Sequence, residues 1–235
     1  MMKFKISDLY HLDKVDEAPE RAGLYVWYGR LSVGSADWDE RQTKSNEIAQ
    51  EQLLRALRAH SVKHRQQPLQ LEATANFSTK WSGGLDSALP EGWSDSPVDF
   101  LTGAVDHSVV RATSSNPGRE DFLALLNIAM PVFSSPLYIG LAIDQTLRSR
   151  LKQHRSRLRR HWDSVSGDPD YPSRIKSENF SDRAIKMGFS PRDLYFYTLH
   201  IESEAEEYAE VSIKELLSSA EWLLNRWANP ILGRK

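Results

Sequence analysis

The sequence predicts an α+β fold with an antiparallel leaning, and three observations carry that expectation. Segments rich in aromatic and β-branched residues at 23–33, 137–143 and 194–201 read as strands. Charged stretches with apolar residues at three-and-four spacing lie between and after them and read as amphipathic helices. No internal repeat or homopolymer interrupts this pattern.

Residues 23–33, Gly-Leu-Tyr-Val-Trp-Tyr-Gly-Arg-Leu-Ser-Val, are bounded by turn formers and predict one strand or a hairpin. Over 39–65, Ile48, Leu53, Leu54, Leu57 and Val62 recur at helical spacing among charges, with Pro68 as the stop. Residues 69–79 alternate as a strand does. Residues 80–119 are dense in Gly, Ser, Asp and Pro and predict loops, with order only at 98–101 and 105–112. A short helix over 121–130 should stop at Pro131, and Pro136 opens the strand at 137–143. Residues 147–162 hold neither Pro nor Gly and predict a helix, followed by a polar stretch at 164–181 with Gly167, Pro169 and Pro172. Leu-Tyr-Phe-Tyr-Thr-Leu-His-Ile at 194–201 is the clearest strand, and a helix over 211–227 ends before Asn229-Pro230.

The 235 residues suit one domain with a large elaboration as well as two small domains, and 40% apolar residues suffice for a core. Cysteine is absent, which excludes disulfides, thiolate metal sites and a thiol nucleophile, and suits a reducing compartment. The apolar run at 123–133 is broken by Asn127 and Pro131, and Met1-Met2-Lys3-Phe4-Lys5 leads into polar residues. The expectation is a soluble, cytoplasmic chain with no membrane partner. Thirty Lys and Arg against 32 Asp and Glu give a net charge of −2, so affinity for phosphates must be local.

Such a concentration exists in the helix at 147–162, which carries Arg148, Arg150, Lys152, Arg155, Arg157, Arg159 and Arg160 with no acidic residue between Asp144 and Asp163. At about 100° per residue, Leu147, Leu151, Leu158 and Trp162 form a narrow apolar stripe, flanked by Arg150, His154, Arg157 and His161. This is either a solvated basic surface or a phosphate-holding one. In the last helix, Ile213, Leu216, Leu217, Ala220, Leu223, Leu224 and Trp227 make the apolar face, and Glu221 stands on its border. A carboxylate there calls for a cation, either a salt-bridge partner or a metal.

Gly23-Leu24-Tyr25, Tyr138-Ile139-Gly140, Arg150 with His154 four residues later, the strand at 194–201, and Glu221 followed by Pro230-Ile231-Leu232 together resemble the GIY-YIG nuclease family. Two residues more than usual separate Gly140 from Arg150, so Arg148 competes for the arginine's role. The family's terminal Asn falls on Gly233, with Asn229 as a substitute. The resemblance implies a small mixed or antiparallel three-stranded sheet flanked by helices, built from residues 1–30 and 134–235. Residues 31–133 would be a large α+β or loop-rich insertion.

It further implies a metal-dependent endonuclease that hydrolyses DNA phosphodiester bonds in restriction, phage defence or repair. Tyr25 would be the base for the attacking water, with Tyr138 beside it, both helped toward phenolate by the metal and the arginine. Arg150 would hold non-bridging oxygens, His154 would bond a tyrosine or the phosphate, and Gly140 would admit backbone close to substrate. Glu221 would hold Mg²⁺ (or Mn²⁺). Arg148, Lys152, Arg155, Arg157, Arg159 and Arg160 would contact nucleic acid, with target choice left to the insertion, a second copy or a protein partner. The alternative is an inactive scaffold that binds nucleic acid or protein.

Ser82-Gly83-Gly84-Leu85-Asp86-Ser87 matches the phosphate-binding signature of ATP pyrophosphatases, but residues 76–81 make a poor buried strand and Pro90, Gly92 and Pro97 deny the following helix its length. His60 and His64 are i, i+4 neighbours without a third ligand.

Overall fold

The computed structural model describes residues 3–31, 33–64, 107–168, 170–176, 179–202 and 212–233. The expected strand at 69–79, the Ser82–Ser87 signature and the His64 side chain lie outside the described residues. In chain order the strands are β1 (Phe4–Ile6), β2 (Tyr10–His11), β3 (Gly23–Gly29), β4 (Tyr138–Ala142) and β5 (Leu194–Ile201). The helices are α1 (Glu40–Thr43), α2 (Asn46–His64), α3 (His107–Ala112), α4 (Asn116–Phe133), α5 (Leu147–Gly167), α6 (Tyr171–Arg174), α7 (Phe180–Lys186) and α8 (Ile213–Ala228). Among the described residues, no helix is long and apolar enough to cross a membrane.

The fold is α+β, with a five-stranded sheet in place of the expected three-stranded one. Its order is β1-β5-β3-β4, with β2 also on β5, and every pairing is antiparallel. β3 lies between β4 and β5, so that Tyr25 stands opposite Gly140 and Thr198, and Trp27 opposite Tyr138 and Phe196. Side chains alternate along a strand, which puts all six on one face. Helix α5 covers that face.

Thr146 caps α5 by accepting from the Ser149 N–H, and the helix then buries Leu147, Leu151, His154 and Leu158, residues at i, i+4, i+7 and i+11. The three leucines meet Tyr25, Trp27, Phe180 and Phe196 in one cluster, and the His154 ring stands against Tyr25, Trp27 and Phe180. Trp27 stacks on Phe180 with ring centroids 5.3 Å apart. Helix α7, which starts at the end of the stretch expected to be merely polar, begins with a capping box of Asn179 and Asp182. Another, from Ser212 and Glu215, starts α8, which Asn229 ends in the left-handed conformation. The chain then returns to β4's entry, where the Ile231 and Leu232 N–H groups donate to the Pro136 and Leu137 carbonyls.

The chain divides into two compact units, Met1–Gly34 with Glu120–Lys235, and Ser35–Arg119. In the second, the described secondary structure is helical. The helix expected over 39–65 is two, because Asp39 caps α1 and Lys44 adopts a positive φ of 62° before α2 begins. Arg119 is fully buried and donates to the Trp38 carbonyl (2.7 Å), Asn46 Oδ1 (2.8 Å) and the Thr113 carbonyl (2.9 Å). Where loops were expected up to Arg119, α4 starts at Asn116, with Pro117 in the first turn, where no N–H is needed, and Ser115 accepting from the Gly118 N–H. Nor does Pro131 stop α4: the helix runs to Phe133, and the Ser134 N–H still reaches the Met130 carbonyl.

Candidate active site

Where α5 crosses β3, His154 lands on Tyr25, and the phenol oxygen is 2.9 Å from His154 Nε2. One helical turn earlier, Arg150 donates from Nε to the same oxygen at 3.4 Å. Arg150 also donates from Nη1 to Gln153 Oε1 (3.2 Å), and Gln153 donates to Gln145 Oε1 (2.7 Å), which steadies the guanidinium from behind. The Tyr138 ring lies 6.1 Å from that of Tyr25, stacks on Phe180 at 5.2 Å, and carries the Arg183 guanidinium 5.9 Å above it. On the far side of the imidazole, His154 Nδ1 is 3.3 Å from Ser181 Oγ, which donates to the His154 carbonyl at 3.4 Å.

Tyr25, Tyr138, Arg150 and His154 therefore converge. Arg148 does not join them: it donates to the Ala18 carbonyl and pairs with Glu20. Glu221, half-buried on α8, reaches the group through its charge, which acts on the Tyr25 phenol. Asn229 serves as the exposed cap of α8, and the Gly233 N–H closes a turn on the Pro230 carbonyl. Gly140 lies against both phenols. A Cβ there would lie 2.5 Å from both Cζ and Oη of Tyr25 and 2.7 Å from Tyr138 Cε1, so the missing side chain makes room for the two phenols.

The electrostatics of the described side chains favour neutral forms. Tyr25 is fully buried, and desolvation foremost, then Tyr138, holds its phenol above the usual ionisation range. The Glu221 carboxylate adds to that and Arg150 opposes it without prevailing, so the resting group is phenol and not phenolate. His154, 4% exposed, is pulled down from 6.5 to about 3 by burial and then by the charges of Arg150 and Arg157. The ring is neutral at pH 7 and almost wholly buried.

The basic run on α5 splits into two stripes. Arg148 pairs with Glu20 (2.5 Å), Lys152 and Arg155 with Asp16 (2.7 and 2.9 Å), and Arg159 with Asp13 (2.6 Å). Lys152, Arg155 and Arg159 hold the 3-10 turn Leu12–Glu17, whose Leu12 and Val15 are in the core, and Arg148 holds the segment that follows it. Bonds from Lys152 and then Arg155 bring the Asp16 carboxyl down to about 2. Arg157 and Arg160 are exposed and make no ion pair with a described residue. The second stripe continues past His154 to His161, whose Nε2 is 3.1 Å from Asp182 Oδ1 and whose Nδ1 is 3.0 Å from the Tyr171 hydroxyl. Successive residues of α7, Ser181 and Asp182, thus hold the two histidines of α5.

A histidine kept neutral by burial makes stability depend on acid in a defined direction. Its contribution is complete above the unfolded value of 6.5 and declines as pH falls toward about 3, because the unfolded chain takes up the proton first. Asp16 contributes in full above 3.8 and loses that contribution toward about 2. Urea titrations at stepped pH should show wild type weakening from pH 6.5 to 4. His154→Gln should flatten that slope while leaving the loss below pH 4 in place.

Sequence reasoning named Tyr25, Tyr138, Arg150 and His154, which the structure brings together, and Glu221, whose charge acts on the Tyr25 phenol; it did not name Ser181, Arg183, Gln145 and Gln153, which contact members of the group. The signal for the first two was Asn179-x-x-Asp182, a helix-start pattern that would have placed both on an ordered turn. Among the described residues, no group of three or more His, Asp or Glu side chains is arranged to hold a metal ion. Compared with known proteins, the chain matches no family model, no curated protein and no solved structure.

Proposed function

We propose that this protein is a divalent-metal-dependent endonuclease of the GIY-YIG type that hydrolyses DNA phosphodiester bonds. The observation that supports it is the meeting of Tyr25, Tyr138, Arg150 and His154 from β3, β4 and α5, with the charge of Glu221 acting on the same phenol.

Arg150, half-buried beside Tyr25, offers a planar, permanently charged fork to a non-bridging phosphate oxygen. Arg157 and Arg160, exposed on the same helix, extend that charge along a polynucleotide backbone. Tyr25 Oη receives a proton from the attacking water as its own proton passes to His154 Nε2, which removes the need for resting phenolate. The water oxygen forms the new bond to phosphorus, the bridging P–O bond breaks, the leaving oxygen takes a proton from solvent, and His154 hands its proton back to Tyr25 as Tyr25 releases one to solvent, which restores the neutral pair.

Glu221 fits a magnesium or manganese ion by donor type. It is a partly exposed oxygen ligand, and with no cage of acids around it such an ion would keep mostly water and substrate oxygens. When bound, the ion supplies charge neutralisation on the phosphate and the leaving oxygen. Target choice falls to the Ser35–Arg119 unit, a second copy or a protein partner.

The test is nicking of supercoiled plasmid in Mg²⁺ and in EDTA by wild type, Arg150→Ala and Glu221→Gln. Metal-dependent nicking by wild type that both substitutions abolish supports the enzyme. No nicking by any of the three, with equal DNA binding, overturns it in favour of a binding scaffold, a reading to which Gly233 in the Asn position lends weight.

A further inference from the structure

We infer that Ser181 is a positioning residue that fixes the neutral His154 ring with its proton on Nδ1, leaving Nε2 free to accept the proton of the Tyr25 phenol. The use of this arrangement in turnover rests on the nuclease reading; the arrangement itself does not.

The argument is a donor count that runs in one direction. A guanidinium has no acceptor, so Arg150 Nε must donate and Tyr25 Oη must accept, at 3.4 Å. Tyr25 is fully buried, and its hydroxyl proton needs an acceptor of its own. His154 Nε2, 2.9 Å away, is the acceptor in reach, which makes that nitrogen the unprotonated one. A neutral imidazole then carries its proton on Nδ1, which points at Ser181 Oγ at 3.3 Å. Ser181 can accept because its own proton is directed at the His154 backbone carbonyl, at 3.4 Å.

The opposite tautomer fails the count. With the proton on Nε2, Tyr25 Oη would accept from both Arg150 and His154, and the buried phenol proton would have no acceptor among the described residues. Ser181 is 0% exposed and sits in the first turn of α7, anchored by the Asn179–Asp182 capping box, so its oxygen is held against the ring by helix start and packing together. The tautomer set by one nitrogen's partner decides what the other nitrogen can do, as in any histidine used for proton transfer. Ser181 touches neither of the two phenols in any contact described above, and it acts through His154.

The test is ¹⁵N NMR of the His154 ring at neutral pH, in full-length protein. In wild type, Nδ1 should resonate as a protonated and Nε2 as an unprotonated nitrogen. Ser181→Ala should shift the ring toward the Nε2-protonated form and lower kcat roughly tenfold to a hundredfold, with KM little changed. Tyr25→Phe removes the phenol proton that calls for a bare Nε2 but leaves Ser181 accepting from Nδ1, so it should move the ring less far toward the Nε2-protonated form than Ser181→Ala does. An Nε2-protonated ring in wild type, or an unchanged ring in folded Ser181→Ala, overturns the inference. Should the NMR pattern hold while wild type shows no metal-dependent cleavage, Ser181 keeps its assignment and the nuclease reading falls.

Discussion

Tyr25→Phe should lower kcat for plasmid cleavage by about 10² to 10⁴, the range a positioned proton-transfer group contributes. The substitution removes one oxygen from a ring otherwise held by Trp27, Tyr138 and His154, all within its cluster or in ring contact with it. Substrate binding should therefore stay close to wild type while turnover collapses. The lost hydroxyl also leaves Arg150 Nε and His154 Nε2 without their shared partner, which should cost about 1–3 kcal/mol of stability. Single-turnover cleavage, with DNA affinity measured in Ca²⁺, separates the two effects. A variant that cuts at the wild-type rate would remove Tyr25 from the chemistry.

Gly140→Ala should be nearly as damaging, although it adds only a methyl group. That carbon would stand 2.5 Å from two atoms of the Tyr25 phenol and 2.7 Å from Tyr138, far inside van der Waals contact. Tyr25 is fully buried in the cluster beneath α5 and cannot swing aside without moving its neighbours. Overpacking of this kind costs about 1–3 kcal/mol. A displacement of the phenol oxygen by about an ångström from His154 and Arg150 lowers the rate by about a hundredfold. Denaturant unfolding and the nicking assay should both register the change, and an alanine variant with wild-type values in both would refute this account of the glycine.

The central sheet was readable because its strands carry dense aromatic and β-branched runs, and β5 lies at Leu194–Ile201 as the pattern says. β1 and β2, three and two residues long, were not readable: β1 is exposed throughout, and neither has enough residues to show an alternation, so both depend on pairing with β5. The ends of α4 hid behind Pro117 and Pro131, which count as breakers in isolation; Pro117 falls in the first turn, where no N–H is needed, and Pro131 is followed by only two more helical residues, so one bond is lost close to the end.

At the site, Arg150 and His154 were legible from their spacing on one helix flank. Spacing could not choose between Arg148 and Arg150; the choice is made by what each meets, the Ala18 carbonyl and Glu20 for one and the Tyr25 phenol for the other. Nor does a sequence show protonation, since burial decides it, and burial keeps both Tyr25 and His154 neutral. Ser181 was one serine in a polar stretch until the helix cap gave it a fixed place.

β3 and β4 are neighbours in the sheet, yet the chain between them passes through the whole Ser35–Arg119 unit. Closure entropy grows only with the logarithm of loop length, so joining two strands through about a hundred residues costs only roughly 3 kcal/mol more than a five-residue turn. The sheet tolerates the detour thermodynamically. The consequence is kinetic: every pairing in the sheet joins residues more than a hundred positions apart, from Tyr25 with Gly140 to Phe4 with Ile201, and such pairings form slowly. Catalytic geometry would thus be a late product of folding, completed after the helices that surround it.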